Sequence, residues 1–433
     1  MRRAACLLNT LFNSKSYKLS RGAYAIQATL EYLITLMVTD AFLANILRSL
    51  GLSDASIGIV ATFVSLAMFI QIGSLSISKA SVNSKKIVTV CSTVSQVLFA
   101  FVYVIPFLPV SASVKKVIAV LCILVAYASM YIVWPILYKW AYKFVSPEKR
   151  ASFSATKEML SLGLGVLFTL GMGWVVDRYE GLGNADGAFI FIAISMTIIS
   201  ICNIACLVVM KEEPQEAERC EKKKFSEIMK NTFGNKSFNS CVIAVSMWEF
   251  ARFFQLGFMG TFKQDILVST FLIQIVNMTG LGVRIVLSKP VARFSDKRGY
   301  DAGFSLGLII AASAFFVNMF SSKEMWFFVV LYTILHNLCY VGVNSNSYNI
   351  LYSYVDERYI SEALAVKNCI AGITGFVSAL IAGKILDYIQ SSGNTFMGIS
   401  VCGQQVLSAI SFVLTIAVLV YVKTVVSKLE KNK

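Results

Sequence analysis

Ionisable side chains stand inside long apolar stretches of this sequence, where they could bind a ligand or exchange a proton. Glu249 and Arg252 are three residues apart, so on a helix they are neighbours and can form an ion pair. Glu31 shares a polar stripe with Gln27 and Thr35 at four-residue spacing. A charge in an apolar environment is costly unless it is paired or hydrated, so these residues are site candidates. A purely structural ion pair remains an alternative for Glu249 and Arg252.

Four ionisable side chains in or near the apolar stretches are candidates for carrying a proton: Glu31, Glu249, Asp40 and His336. We favour Glu31 over Asp40 because the helix face of Glu31 is polar, and Glu249 is the alternative to Glu31. Asp40 follows nine residues later and falls on roughly the opposite face, where it could pair with another helix or cap a break. His336 is the only histidine and fits either a proton relay or a hydrogen-bonded packing role.

Two stripes of aromatic and amide side chains complete the candidate site. The first consists of Tyr127, Tyr131, Trp134 and Tyr138, and the second of Asn337, Tyr340, Asn344 and Tyr348. Spacings of three and four residues place each stripe on one helix face. Both stripes could line a cavity, although such stripes also occur in plain helix packing. Gln255 extends the face of Glu249 and Arg252.

Apolar segments long enough to cross a bilayer must position these residues. Of the 433 residues 57% are hydrophobic, above the roughly 45–50% typical of soluble domains. Runs near 20 residues fit membrane-spanning helices, whereas barrel strands are about half as long. We predict an all-α membrane protein with twelve transmembrane helices at 24–47, 55–77, 87–109, 117–138, 159–176, 187–210, 239–262, 267–288, 303–321, 325–347, 361–386 and 397–422.

The distribution of basic residues predicts the topology. Only six Lys and Arg fall in the predicted outer segments: Arg48, Lys115, Lys116, Arg178, Lys263 and Lys323. Because Lys and Arg accumulate on the cytoplasmic side, both termini should be cytoplasmic. The net charge of +15 is explained in this way, and we expect no nucleic-acid partner. The predicted segments are an N-terminal segment (1–23), a six-helix bundle (24–210), a cytoplasmic linker (211–238), a second six-helix bundle (239–422) and a cytoplasmic tail (423–433).

An internal repeat relates the two predicted bundles. At an offset of 210 residues Lys157 matches Lys367, and the repeat also pairs Tyr138 with Tyr348 and Trp134 with Asn344. One offset serves several spans, so the halves are parallel repeats in a pseudo-symmetric 6+6 arrangement.

The segment ARFSDKRG, Ala292 to Gly299, follows the eighth predicted span. It resembles the G-x-x-x-D-[RK]-x-G loop of the major facilitator superfamily, with Ala292 in place of the first glycine. The equivalent segment 78–86 lacks the Asp and the Gly. The resemblance implies gating roles for Asp296, Lys297 and Gly299. It also implies a substrate site near the bilayer midplane, lined by spans one, four, seven and ten.

These features favour a secondary active transporter in the cell membrane that works by alternating access. The acids Glu31 and Glu249 inside the apolar stretches favour proton coupling. Its expected partners are a small-molecule substrate, protons and the lipid bilayer, and it is expected to be a monomer. A slight preference goes to efflux of lipophilic compounds, with transport of a polar nutrient or small organic ion as the alternative. A membrane sensor or scaffold without transport is a third hypothesis. The sequence has no phosphate-binding G-x-x-x-x-G-K-[ST] loop, so we do not expect the nucleotide-hydrolysing part of a pump. An intramembrane enzyme is not expected either, since there is one histidine, no H-E-x-x-H motif and no metal-like Cys/His cluster; an enzyme that uses only carboxylates is the alternative left open. We expect no metal and no cofactor.

Overall fold

The computed structural model describes residues 17–70, 84–145, 150–211, 234–352, 354, 360–396 and 398–429. In chain order the helices of the first part are α1 (Lys18–Met37), α2 (Asp40–Ser49), α3 (Asp54–Ala61), α4 (Phe63–Ile70), α5 (Ser84–Val102), α6 (Ala112–Phe144), α7 (Arg150–Gly181) and α8 (Ala185–Val209). Those of the second part are α9 (Lys236–Leu256), α10 (Met259–Leu267), α11 (Thr270–Arg298), α12 (Tyr300–Asn318), α13 (Phe327–Tyr352), α14 (Ile360–Ser391) and α15 (Gly403–Thr424).

Short elements complete the described chain. Two 3-10 turns cover Ile105–Phe107 and Val426–Lys428. Two-residue strands β1 (Thr395–Phe396) and β2 (Ile399–Ser400) pair antiparallel between α14 and α15. The predicted all-α class is confirmed.

Ten helical segments of the described chain are long and apolar enough to cross a membrane. The pair α1 and α2, bent by 48°, makes an eleventh when the two helices are counted as one broken span. The second predicted span, 55–77, begins with α3 and α4 and continues beyond the described residues. α6 has 33 residues and extends past the predicted 117–138 at both ends. At about 1.5 Å per residue, this helix is longer than the hydrocarbon core is thick.

The chain divides into two compact units. The first unit contains Met1–Gly51 and Ile70–Glu218, and the second unit contains Leu52–Phe69 and Arg219–Lys433. Segment 52–69 belongs to the second unit because α3 packs against α14. The predicted bundle 24–210 includes this segment, so the bundle boundaries stay a prediction. Most of the predicted linker 211–238 lies outside the described residues.

Glycines allow a close helix contact within the second unit. α12 and α13 approach so tightly that a Cβ on Gly342 would lie 2.7 Å from the Cα of Gly307 and 3.0 Å from the carbonyl oxygen of Gly303. Small residues at such crossings let transmembrane helices pack backbone against backbone. This contact fixes α13, which carries the second polar stripe.

Candidate functional site

Glu31 is the centre of a polar cluster in the first unit. Its Oε2 accepts a hydrogen bond from Gln27 Nε2 at 2.6 Å, and its Oε1 accepts one from Trp134 Nε1 at 2.5 Å. The ring of Tyr131 lies 4.7 Å from that of Trp134. Two donors from two helices therefore hold both oxygens of one intramembrane carboxylate. The structure brings together four residues that the sequence selected.

Lys157 of α7 adds a positive charge to this cluster. Its ammonium group interacts electrostatically with Glu31 and lies 5.5 Å from the centre of the Tyr24 ring. Thr35 extends the stripe on α1, and its hydroxyl donates to the Glu31 carbonyl oxygen at 2.9 Å and contacts the Met130 sulfur at 3.9 Å. The first unit thus combines a carboxylate, an ammonium group and hydrogen-bond donors on neighbouring faces of three helices.

Tyr127 lies at the break between α1 and α2. Its hydroxyl donates to the Val38 carbonyl oxygen at 3.3 Å, and the Tyr103 hydroxyl donates to the Met37 carbonyl oxygen at 2.5 Å. These donors satisfy carbonyls that a helix end releases inside the membrane. Tyr127 is only 2% exposed, so its place is in helix packing and its cavity role stays a prediction. Asp40, with φ 49°, begins α2 at the same break.

Glu249 and Arg252 form the predicted ion pair in the second unit. Arg252 Nη2 lies 2.8 Å from Glu249 Oε2, and Arg252 Nη1 donates to the Tyr340 hydroxyl at 3.3 Å. The guanidinium also lies 4.5 Å from the centre of the Phe253 ring. An acid, a hydroxyl and an aromatic face therefore fix the orientation of Arg252.

Tyr340 joins a second arginine to this cluster. The Arg284 guanidinium of α11 lies 5.6 Å from the centre of the Tyr340 ring, and that of Arg252 lies 5.4 Å from it. The ring of His336 stands edge-on to Tyr340 at 5.1 Å and stacks on Tyr332 at 5.2 Å. His336 Nε2 has no hydrogen-bond partner among the described residues. Its proposed proton relay stays a prediction.

A lysine of α14 completes the charged group. Lys367 is 5% exposed, and its ammonium lies 4.0 Å from the centre of the Tyr348 ring. It interacts electrostatically with Glu249 and Arg252. The sequence marked Lys367 only by its repeat match to Lys157 and gave Arg284 no role. The repeat match to Lys157 was the available signal for Lys367, and the position of Arg284 inside the predicted span 267–288 was the signal for Arg284.

The remaining predicted cavity residues have varied surroundings. Gln255 is fully buried, and its Nε2 donates to the Ser408 hydroxyl at 2.8 Å, between α9 and α15. Asn337 Nδ2 donates to the Thr333 carbonyl oxygen of its own helix at 2.9 Å. Asn344 is half-buried on α13, and the Tyr138 side chain lies outside the described part of α6.

The motif ARFSDKRG forms the end of α11. Gly299 follows Arg298 with φ 98°, and a Cβ there would lie 2.7 Å from Asp301 Oδ1, which explains the glycine. Asp296 and Lys297 are exposed in the last turn. The equivalent segment 78–86 lies largely outside the described residues, so the gating roles stay predictions. Within the described ranges no group of three or more His, Cys, Asp or Glu side chains could hold a metal ion.

Comparison with known proteins assigns the family. The model of the Major Facilitator Superfamily matches residues 24–379, whereas a search of curated proteins found no match. The structure is similar to the nucleoside transporter NupG, with 12% identity and a TM-score of 0.71 over 95% of this chain and 100% of that one. It is also similar to a bacterial homolog of the human lysosomal transporter Spinster, with 15% identity and a TM-score of 0.70 over 95% and 97%. It is similar as well to a D-xylose–proton symporter, with 13% identity and a TM-score of 0.69 over 93% of this chain and 97% of that one.

At these identities the likeness concerns the fold. The predicted architecture, twelve helices in a 6+6 arrangement, is that of these transporters, and the prediction is confirmed. The chain is a multi-pass membrane protein, and it belongs to the Major Facilitator Superfamily.

Proposed function

We propose that this protein is a proton-coupled secondary active transporter of a small molecule, with Glu31 as the proton-carrying group. The observation that supports the proposal is the Glu31 cluster, in which Trp134 and Gln27 bond both carboxylate oxygens inside the membrane-spanning region. Protonation of Glu31 removes the charge that Lys157 and these donors stabilise. The preferred arrangement of α1, α6 and α7 then changes with proton binding, which is what coupling requires.

Structural neighbours support the coupling hypothesis by analogy. One is titled a D-xylose–proton symporter, and two others are structures of a nucleoside transporter. The sequence slightly favours efflux of lipophilic compounds over transport of a polar nutrient or small organic ion. The direction of transport stays open. The distribution of Lys and Arg supports a location in the cell membrane with both termini cytoplasmic, and we keep a monomer as the expected state.

Proton flux in proteoliposomes tests the proposal. A pH gradient is imposed, panels of cationic drugs, sugars, amino acids and organic anions are added, and wild type is compared with Glu31→Gln. Glu180→Gln removes an exposed carboxylate at the end of α7 and serves as the matched control. We expect substrate-dependent proton flux in wild type and Glu180→Gln, and its loss in Glu31→Gln.

Two outcomes contradict the proposal. Undiminished flux in Glu31→Gln would move the coupling role to another group. Measurable ligand binding by the folded protein without flux of any ligand would favour the sensor hypothesis, the alternative that the sequence left open.

A further inference from the structure

We infer that the substrate carries an oxyanion, a carboxylate or a phosphate group, and that Arg252, Arg284 and Lys367 of the second unit bind it. This inference deepens the proposed function and rests on it, since it names the substrate class of the proposed transporter. The chemistry fits because guanidinium groups present a planar set of N–H donors that matches carboxylate and phosphate oxygens.

The charges of the cluster do not balance. Glu249 is the acid of the group, and Arg252 already pairs with it at 2.8 Å. Arg284 and Lys367 add two more positive charges, and among the described side chains neither forms an ion pair with a carboxylate. Both lie within membrane-spanning segments, where an uncompensated charge is costly. A bound anion would compensate the surplus that the protein itself leaves.

The geometry holds the positive groups around two aromatic rings of one helix. The guanidinium groups of Arg252 and Arg284 lie 5.4 and 5.6 Å from the centre of the Tyr340 ring. Lys367 is held 4.0 Å from the centre of the Tyr348 ring, about two helical turns further along α13. Aromatic contacts orient these side chains without neutralising them. Arg284 and Lys367 therefore keep their charge available to a ligand, beside the guanidinium group of Arg252 that pairs with Glu249.

The same charges disfavour a lipophilic cation. A cationic substrate at this cluster would meet a net positive potential, and the one acid of the cluster that could attract it is already bonded to Arg252. Of the substrates that the sequence analysis left open, the second unit thus favours a small organic anion over a cationic drug.

Ligand binding to the purified full-length protein tests this inference without requiring transport. Melting temperature is followed by intrinsic tryptophan fluorescence at constant ionic strength. Succinate is compared with succinamide, and glucose 6-phosphate with glucose; tetraphenylphosphonium represents the lipophilic cations. Arg284→Gln and Lys367→Gln each remove one charge of the cluster. Lys289→Gln removes an exposed charge from the same helix as Arg284 and is the matched control.

We expect at least one anion to raise the melting temperature saturably, while its neutral counterpart does not. Which anion does so distinguishes a carboxylate from a phosphate ligand. Loss of one charge-assisted contact should weaken binding about tenfold to a hundredfold in Arg284→Gln or Lys367→Gln. Lys289→Gln should bind like wild type. If Arg284→Gln does not fold, Arg284→Lys keeps the charge and should retain the preference for anions with reduced affinity.

Three results would overturn the inference: no stabilisation by either anion at millimolar concentration, stabilisation by tetraphenylphosphonium alone, or equal anion affinity in both cluster variants and in wild type. Its failure is separable from failure of the proposed function. If the protein binds the anion and Glu31→Gln leaves the proton flux undiminished, only the coupling role of Glu31 is refuted.

Discussion

Replacing Gly342 by alanine is expected to destabilise the second unit, because α13 has no space for a side chain there. The new Cβ would lie 2.7 Å from the Cα of Gly307, 2.9 Å from its backbone nitrogen and 3.0 Å from the Gly303 carbonyl oxygen. All three atoms are backbone, so no rotamer change relieves the overlap. Carbon atoms pack best at about 3.5–4.0 Å, and the helices must therefore separate by roughly half an ångström or more.

Overpacking of this kind costs about 1–3 kcal/mol. Alanine also favours a helix over glycine by up to about 1 kcal/mol, which partly hides the cost. Gly282→Ala on α11 supplies the control, since a Cβ at Gly282 meets no atom within 4 Å. The propensity gain is common to both variants. The free energy of unfolding of Gly342→Ala should therefore fall about 1–3 kcal/mol below that of Gly282→Ala.

Denaturant or thermal unfolding of the detergent-solubilised protein measures this difference. The anion-binding assay gives a second readout, because Tyr340 lies two residues before Gly342 and moves with α13. Equal stability of the two variants would refute the close helix contact. Normal stability combined with weakened anion binding would show that the helices yield at little cost, contrary to the packing argument.

Three further predictions concern separate sites. Trp134→Phe removes the indole N–H that donates to the Glu31 carboxylate, and it should lower substrate-driven proton flux in proteoliposomes about tenfold. Trp174 is 58% exposed on α7, so Trp174→Phe should leave this flux unchanged. Val268→Gly should raise the free energy of unfolding by about 1 kcal/mol, because this exposed β-branched residue has φ 60°; an unchanged melting curve would contradict the strain. Arg252→Gln should lower the free energy of unfolding by up to about 3 kcal/mol, because Glu249, 16% exposed, loses its ion-pair partner and keeps the electrostatic interaction with Lys367; adding Glu249→Gln should restore part of the loss in the same unfolding assay.

The fold was largely predictable from the sequence, since a bilayer requires long helical runs whose backbone groups bond internally. Helix ends were less predictable. α6 continues beyond its apolar run to Phe144, where polar and charged residues remain helical outside the hydrocarbon core. The sequence offered the capping of a break as one role for Asp40, but the position of the break at Met37 depends on the tertiary contacts that Tyr103 and Tyr127 make with released carbonyls.

Helical spacing could select candidate residues that lie on a regular stripe. Glu31 and Trp134 were each selected by spacing, and the structure joins them through a hydrogen bond. Gln255 fits its stripe equally well but bonds Ser408 within the unit. Arg284 was missed because a single arginine in an apolar run has no periodic partner. Its significance comes from Tyr340, which only the packing of α11 on α13 reveals.

The repeated lysines show how similar halves can acquire different roles. Lys157 and Lys367 each lie over a tyrosine ring, but Lys157 acts on the carboxylate of Glu31, whereas Glu249 near Lys367 is already bonded to an arginine. A proton at Glu31 and an anion at the second cluster would then carry opposite charges through the membrane together. Moving one elementary charge across a potential of 100 mV involves about 2.3 kcal/mol. Under the two proposals, combined binding would therefore reduce the electrical work of transporting an anion, which would be a physical reason to place proton coupling in the first unit and substrate binding in the second.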